Sequence, residues 1–189
     1  MIMRAVWQYW PGIIDDATID NIIAEGERYE LAHAGMGFHG SSVNNEYRSS
    51  DIRWINKFQS KWISDLIYDY VTTANRNAFG FNIDFINDIQ YTTYKATENG
   101  KYDWHEDVFW DCPREYHRKL SFVMQLTDPS EYEGGVFEID SQFPQMDAQQ
   151  LLRKGTVVVF PSFIRHRVTP VTSGIRRSLV SWIEGPKFR

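Results

Sequence analysis

His105 and Asp107 stand two residues apart in the aromatic stretch Tyr102-Asp103-Trp104-His105-Glu106-Asp107. Residues two apart on a strand share a face, so the spacing predicts that an imidazole and a carboxylate converge. A second histidine, His166, follows the strand-like run Thr156-Val157-Val158-Val159-Phe160. Two imidazoles and one carboxylate can fill one face of an octahedral metal and leave the other face open, a set suited to Fe(II). His105 by itself reads as a structural or surface histidine; its company changes that reading. Arg176 and Ser178 follow, again two apart. On one strand face they offer a bidentate guanidinium and a hydroxyl to a small carboxylate. Arg177 points to the opposite face and reads as a solvated surface arginine.

At these residues the chain resembles the Fe(II)- and 2-oxoglutarate-dependent dioxygenases, most of all the prolyl 4-hydroxylase type and its short microbial and phage forms. The matching pieces are His105-x-Asp107, Tyr132-Glu133-Gly134-Gly135, the run from Pro161 to Val171, and Gly174-Ile175-Arg176, within roughly residues 85–186. Four pieces in order at workable spacing are a specific signal, whereas His-x-Asp alone is not. The resemblance implies a double-stranded β-helix (jelly roll), Fe(II), 2-oxoglutarate and O2, with ascorbate as an auxiliary reductant. It implies His105, Asp107 and His166 as the metal ligands, with no catalytic residue beyond them. Arg176 and Ser178 would hold the cosubstrate, with Tyr94, Tyr102 and Trp182 around it and Tyr91 as a rival to Tyr94. Arg48, in Arg48-Ser49-Ser50, would face the substrate. The activity implied is hydroxylation of a C–H bond, foremost prolyl hydroxylation of a peptide or protein. A free amino acid or other small molecule is the alternative substrate. A non-catalytic jelly roll would be expected to show a degraded triad, and the triad here is complete.

Composition sets wider bounds. At 189 residues, one domain spanning 1–189 is expected, with a helical part at about 1–78 and a jelly-roll core at about 79–186. Aromatic residues make up 15% of the chain, and flat rings of this kind fill the space between packed sheets. The net charge of −5 argues against a phosphate-gripping nucleic-acid binder, and so against a nucleobase demethylase. The sole cysteine, Cys112, excludes an intrachain disulfide. No secretory signal and no membrane-length apolar run are visible, so cytoplasm (the host's, for a phage chain) is the expected location.

The elements that must position the site follow from periodicity. Asp15-Asp16-Ala17-Thr18 opens a helix carrying Ile19, Ile22 and Ile23. Gly35–Ser50 reads as a long loop that borders the site and covers substrate. Asp51 would cap a second helix, with Trp54, Phe58, Trp62, Leu66 and Tyr70 as its core-facing stripe. Short strands are expected at Phe81–Phe85, Ile89–Tyr94, Tyr102–His105, Leu120–Leu126, Val136–Ile139, Thr156–Phe160, His166–Val168 and Arg176–Ile183. Ser173-Gly174 would turn the chain back so that Arg176 lies beside His166, and Gly134-Gly135 reads as a tight turn without chemistry. His33, His39 and His117 read as surface residues, and the polar insert Asp111–Lys119 would flank the substrate entrance. The pattern is that of an α+β domain on a double-sheet jelly roll.

Overall fold

The computed structural model describes residues 3–33 and 46–188. The strands are β1 (Gln8–Trp10), β2 (Ala32–His33), β3 (Arg48–Ser49), β4 (Asp51–Ile55), β5 (Phe85–Lys95), β6 (Lys101–His105), β7 (Tyr116–Gln125), β8 (Tyr132–Gly134), β9 (Phe137–Ile139), β10 (Val157–Pro161), β11 (His166–Val168) and β12 (Val171–Pro186). The helices are α1 (Asp16–Glu27), α2 (Lys61–Ala74) and α3 (Ala148–Leu152). One large sheet runs β1-β10-β7-β12-β5-β4-β2, with β8 joined to β12; a smaller sheet runs β3-β6-β11-β9. These two antiparallel sheets and their flanking helices form the double-stranded β-helix.

Side-chain alternation divides the large sheet between two cores. On the helix side lie Leu120, Phe122 and Met124 of β7, Val157 and Val159 of β10, and Leu179 and Ile183 of β12, packed with Ile19 and Ile22 of α1 and Ile63, Ile67 and Val71 of α2. On the other side, Val123, Val158 and Phe160 meet Phe137, Ile139 and Val168 of the small sheet. The site residues use this second parity.

Several expected elements differ. Asp15 does cap α1, its carboxylate accepting from the Thr18 N–H at 2.8 Å. Asp51, however, begins β4 rather than a helix, and β4 pairs with β5. The part before residue 79 therefore supplies strands as well as helices: β1 closes one end of the large sheet, β4 and β2 the other. The aromatic stripe is not the buried face of α2. Trp62 is 43% exposed and Phe58 83%, while the neighbouring series Ile63, Ile67, Val71 and Ala74 is buried at 0%. Trp54 lies on β4 and Phe58 before the helix; of the two four-residue series that do lie side by side on α2, Ile63, Ile67 and Val71 enter the core, while Leu66 and Tyr70 pack partly against it. Residues 81–84 form no strand, and Phe81 makes ring contacts with Phe79, Phe163 and Phe188 instead. Ser173-Gly174 lies within β12, where Gly174 (φ 70°) marks the change of partner from β8 to β5. His117 is buried between the rings of Trp110 and Phe188, and Cys112 is buried too. Residues 35–45 of the expected covering loop, His39 among them, lie outside the described residues, and Arg48 and Ser49 at its end form β3.

Candidate metal centre

His105 is the last residue of β6 and His166 the first of β11, and the two are direct cross-strand partners. That register brings their rings to 4.2 Å between centroids. Each ring has its Nδ1 against a backbone carbonyl: His105 on Asp103 at 2.7 Å, His166 on Ile164 at 2.9 Å. A carbonyl only accepts, so the proton sits on Nδ1 and both Nε2 lone pairs are free. Asp107 lies beyond the end of β6, in a bend, so its convergence does not come from the pleat. Its backbone N–H donates to the Ser162 carbonyl at 2.8 Å, which folds it back beneath the two rings. Its Oδ1 lies 3.7 Å from His105 Nε2 and its Oδ2 3.5 Å from His166 Nε2. One donor atom from each of the three residues falls within 4.8 Å of the others. These free, preoriented donors fit a divalent cation.

The electrostatics agree. Burial, followed by the neighbouring His166, pushes the His105 imidazole down to about 3, so it stays neutral. Burial alone would raise the Asp107 carboxyl, but His166, His105, Arg118 and the Ser121 hydroxyl outweigh it and hold the group below the usual carboxylate range. A neutral His105 imidazole beside an ionised Asp107 carboxylate is the pairing of protonation states a cation requires.

The pocket above these donors is lined by Tyr94, Tyr102, Arg176, Ser178, Trp182 and Arg48 among others, so all the expected site residues gather there. Arg176 is 1% exposed, and among the described residues none of its three guanidinium nitrogens makes a well-aligned hydrogen bond, the Tyr132 hydroxyl being its close polar neighbour. Tyr94 stands beside it, with the guanidinium carbon 5.4 Å from the ring centroid. Tyr91 has the other parity of β5 and lies in the helix-side core. Arg177 faces the same way as Tyr91, and its N–H donates to the Thr127 hydroxyl. Tyr102 stacks on His105 with centroids 3.4 Å apart, and Arg48 sits 4.4 Å over the Tyr102 ring while donating to Ser50. Trp182 is buried, its indole N–H has no partner among the described residues, and the Arg118 guanidinium lies 3.9 Å from its ring centroid.

Three contributors were not singled out in the sequence, and a fourth, Gly135, was read only as part of a turn. Gln90 and Val180 line the pocket, and both share the parity of Tyr94 and Arg176, which is the signal that marks them. Gly135 (φ 58°) leaves room for Arg176, since a Cβ there would meet the arginine Cδ at 2.8 Å. Ser121 donates to Asp107 Oδ2 at 2.7 Å; nothing local in the sequence announces it.

The family model described as "2OG-Fe(II) oxygenase superfamily" matches residues 89–184, which contain His105, Asp107, His166 and Arg176. This chain belongs to that superfamily. Members use Fe(II), 2-oxoglutarate and O2, and the His105, Asp107 and His166 donor set fits the iron. A PKHD-type hydroxylase of Synechococcus sp. (strain CC9311) is 42% identical over 91 residues, 48% of this chain and 39% of that protein. A PKHD-type hydroxylase of Aliarcobacter butzleri (strain RM4018) is 30% identical over 138 residues, 68% of this chain and 60% of that protein. The oxygenase chain thus spans less than two thirds of these relatives. Among solved structures, a Pseudomonas putida prolyl-4-hydroxylase superposes with a TM-score of 0.71 at 20% identity, covering 96% of this chain and 94% of that one. A Trichoplax adhaerens prolyl hydroxylase, solved with a hypoxia inducible factor oxygen degradation domain peptide fragment, gives 0.72 at 14% identity, covering 94% and 83%. These superpositions establish the shared fold. Among the described residues no helix is long and apolar enough to cross a membrane.

Proposed function

We propose that this oxygenase-family chain is an Fe(II)- and 2-oxoglutarate-dependent hydroxylase acting on prolyl residues of a peptide or protein. The observation that carries the cosubstrate half is Arg176. A guanidinium buried without a well-aligned partner is costly, and here it lies in the same pocket as three free metal donors. A ligand that chelates at one end and carries a carboxylate at the other satisfies both. 2-Oxoglutarate has that shape and charge.

The residues then divide the task. His105, Asp107 and His166 would hold Fe(II) through two imidazoles and one carboxylate. Arg176 pairs with the distal carboxylate, and Ser178 and the Tyr94 hydroxyl add hydrogen bonds beside it. Tyr102, stacked on His105, fixes that ring; Trp182 walls the pocket, and Arg48 faces the substrate end. The bound iron and cosubstrate supply oxidative decarboxylation, to succinate and CO2, that puts one oxygen of O2 into a substrate C–H bond. Everything else the chain does is placement and exclusion of water. A reducing compartment, which keeps Fe(II) and the free Cys112 thiol reduced, suits this chemistry.

The prolyl substrate is supported by the names of the relatives and neighbours, PKHD-type and prolyl hydroxylases. The test is succinate release with Fe(II) and 2-oxoglutarate, stimulated by proline-containing peptides, free amino acids or short oligonucleotides in turn. Mass spectrometry then locates the added oxygen. Peptide stimulation with oxygen on proline is expected. Stimulation by a free amino acid alone would replace the substrate reading and leave the cosubstrate reading standing. A His166→Ala chain that kept full turnover would overturn the metal assignment.

A further inference from the structure

Asp107 is held from two directions, and the second has no role in the chemistry described so far. Its own N–H and that of Val108 both donate to the Ser162 carbonyl, at 2.8 and 3.1 Å. Its Oδ2 accepts from the Ser121 hydroxyl at 2.7 Å, and the Ser121 oxygen lies 2.9 Å from the Ser162 hydroxyl oxygen. Both serines are 0% exposed. Ser121 sits on β7 between the core residues Leu120 and Phe122, on the inner parity it shares with Val123. Packing alone asks for an apolar side chain there, because a buried hydroxyl costs free energy unless it is hydrogen-bonded.

Proton count gives the pair a direction. A ligand carboxylate only accepts, so the single Ser121 proton goes to Oδ2. The Ser121 oxygen is then left as an acceptor, and the Ser162 hydroxyl must donate to it. The chain runs from Ser162 to Ser121 to Asp107. It engages Oδ2 and leaves Oδ1, the oxygen 3.7 Å from His105 Nε2, without a hydrogen bond among the described residues.

We propose that Ser121, oriented by Ser162, is a positioning residue that ties Oδ2 and presents Asp107 to the metal through Oδ1 alone. The proposal rests on the metal-centre reading above. Its consequence is that the carboxylate occupies one coordination position rather than two, which keeps the open face free. Outer hydrogen bonds of this kind orient ligands and tune their donor strength.

The test uses the full chain and bare Co(II) or Mn(II), titrated without oxygen, with melting temperature recorded for each variant. Ser121→Ala should weaken the metal by roughly 10–100-fold, the span typical of lost outer-shell bonds. The Co(II) visible band of that variant should change intensity, as expected when the ligand count changes. Ser121→Thr, which keeps the hydroxyl, should bind close to the parent. Ser162→Ala should weaken binding in the same direction but less. Because its hydroxyl acts through Ser121, the double alanine variant should be no worse than Ser121→Ala. Parent-like metal affinity and an unaltered Co(II) band in a folded Ser121→Ala chain would overturn the proposal, as would fully additive losses. If Ser121→Ala does not fold, Ser162→Ala decides: a several-fold loss supports the relay, and none sinks it. A parent chain that binds neither ion removes the metal-centre reading itself, a different result from parent-like binding by the serine variants.

Discussion

At the scale of single residues, Arg176 and Arg177 make a natural comparison, being adjacent arginines with opposite surroundings. Arg176 is buried on the pocket side with no well-aligned hydrogen bond among the described residues, while Arg177 faces the helix side near Tyr91. Arg176→Ala should therefore weaken 2-oxoglutarate by about 2–5 kcal/mol, the cost of stranding a buried charge. Arg177→Ala should leave it nearly unchanged. Calorimetric titration of 2-oxoglutarate into the Mn(II)-loaded chain measures both, and equal losses would undo the distinction. Gly135 acts on the same arginine from behind. A methyl group at 2.8 Å from Arg176 Cδ cannot be accommodated without moving the clamp. Gly135→Ala should lower 2-oxoglutarate affinity while metal affinity, read in the same titrations, holds. Loss of both together would mean that the local fold had failed instead.

The elements carry their own predictions. On α2, Ile67→Ala removes a side chain buried at 0% and should cost about 2–5 kcal/mol, whereas Trp62→Ala, from the half-open face, should cost far less. Urea unfolding of the two variants measures the difference, and reversal of the order would mean that the aromatic stripe is the packed face after all. On α1, the Thr18 backbone N–H holds the Asp15 carboxyl below its ordinary value, with the Thr18 hydroxyl adding to it. A depressed carboxyl contributes stability above its unfolded value and loses it as pH falls through the folded one. Asn caps as well as Asp without titrating. Asp15→Asn should match the parent at neutral pH and exceed it in the acid range, below the usual carboxylate value. Parallel stability curves from pH 7 to pH 3 would refute the cap's share of the acid sensitivity.

For the molecule as a whole, the site joins two sheets, so filling it ties them together. Histidines come from the small sheet, Arg176 from the large one, and the metal with its cosubstrate would span the gap. A ligand that binds only the folded state at a hundred times its dissociation constant adds about 2.7 kcal/mol. For a chain of this size that corresponds to roughly 5–10 °C of melting temperature. Mn(II) with 2-oxoglutarate should produce such a shift in a thermal melt of the parent and almost none in His166→Ala. An equal shift in that variant would place the metal elsewhere.

The residue types and the parity of the strands were legible in the sequence. Arg176, Ser178 and Trp182 lie on one strand whose alternation is a local, two-residue property, so their common face could be read before any fold was known. The Asp15 cap was legible for the same reason, since its bond closes within three residues. Other placements depended on contacts far apart in the chain. Asp107 lies past the strand and is turned inward by Ser162. Tyr102 shares a side with His105, three residues away, only because a register irregularity between β6 and β11 makes two residues of β6 oppose one of β11. The choice between Trp62 and Ile63 as the buried face of α2 depended on which series the large sheet would meet, for the spacing of the two is identical. Ser121 reads as one polar residue in an apolar strand until Asp107 is placed beside it. Sequence alone could name the donors, because donor chemistry belongs to a residue type. Only the tertiary structure could decide their second neighbours, because those bonds join positions that meet nowhere but in the folded chain.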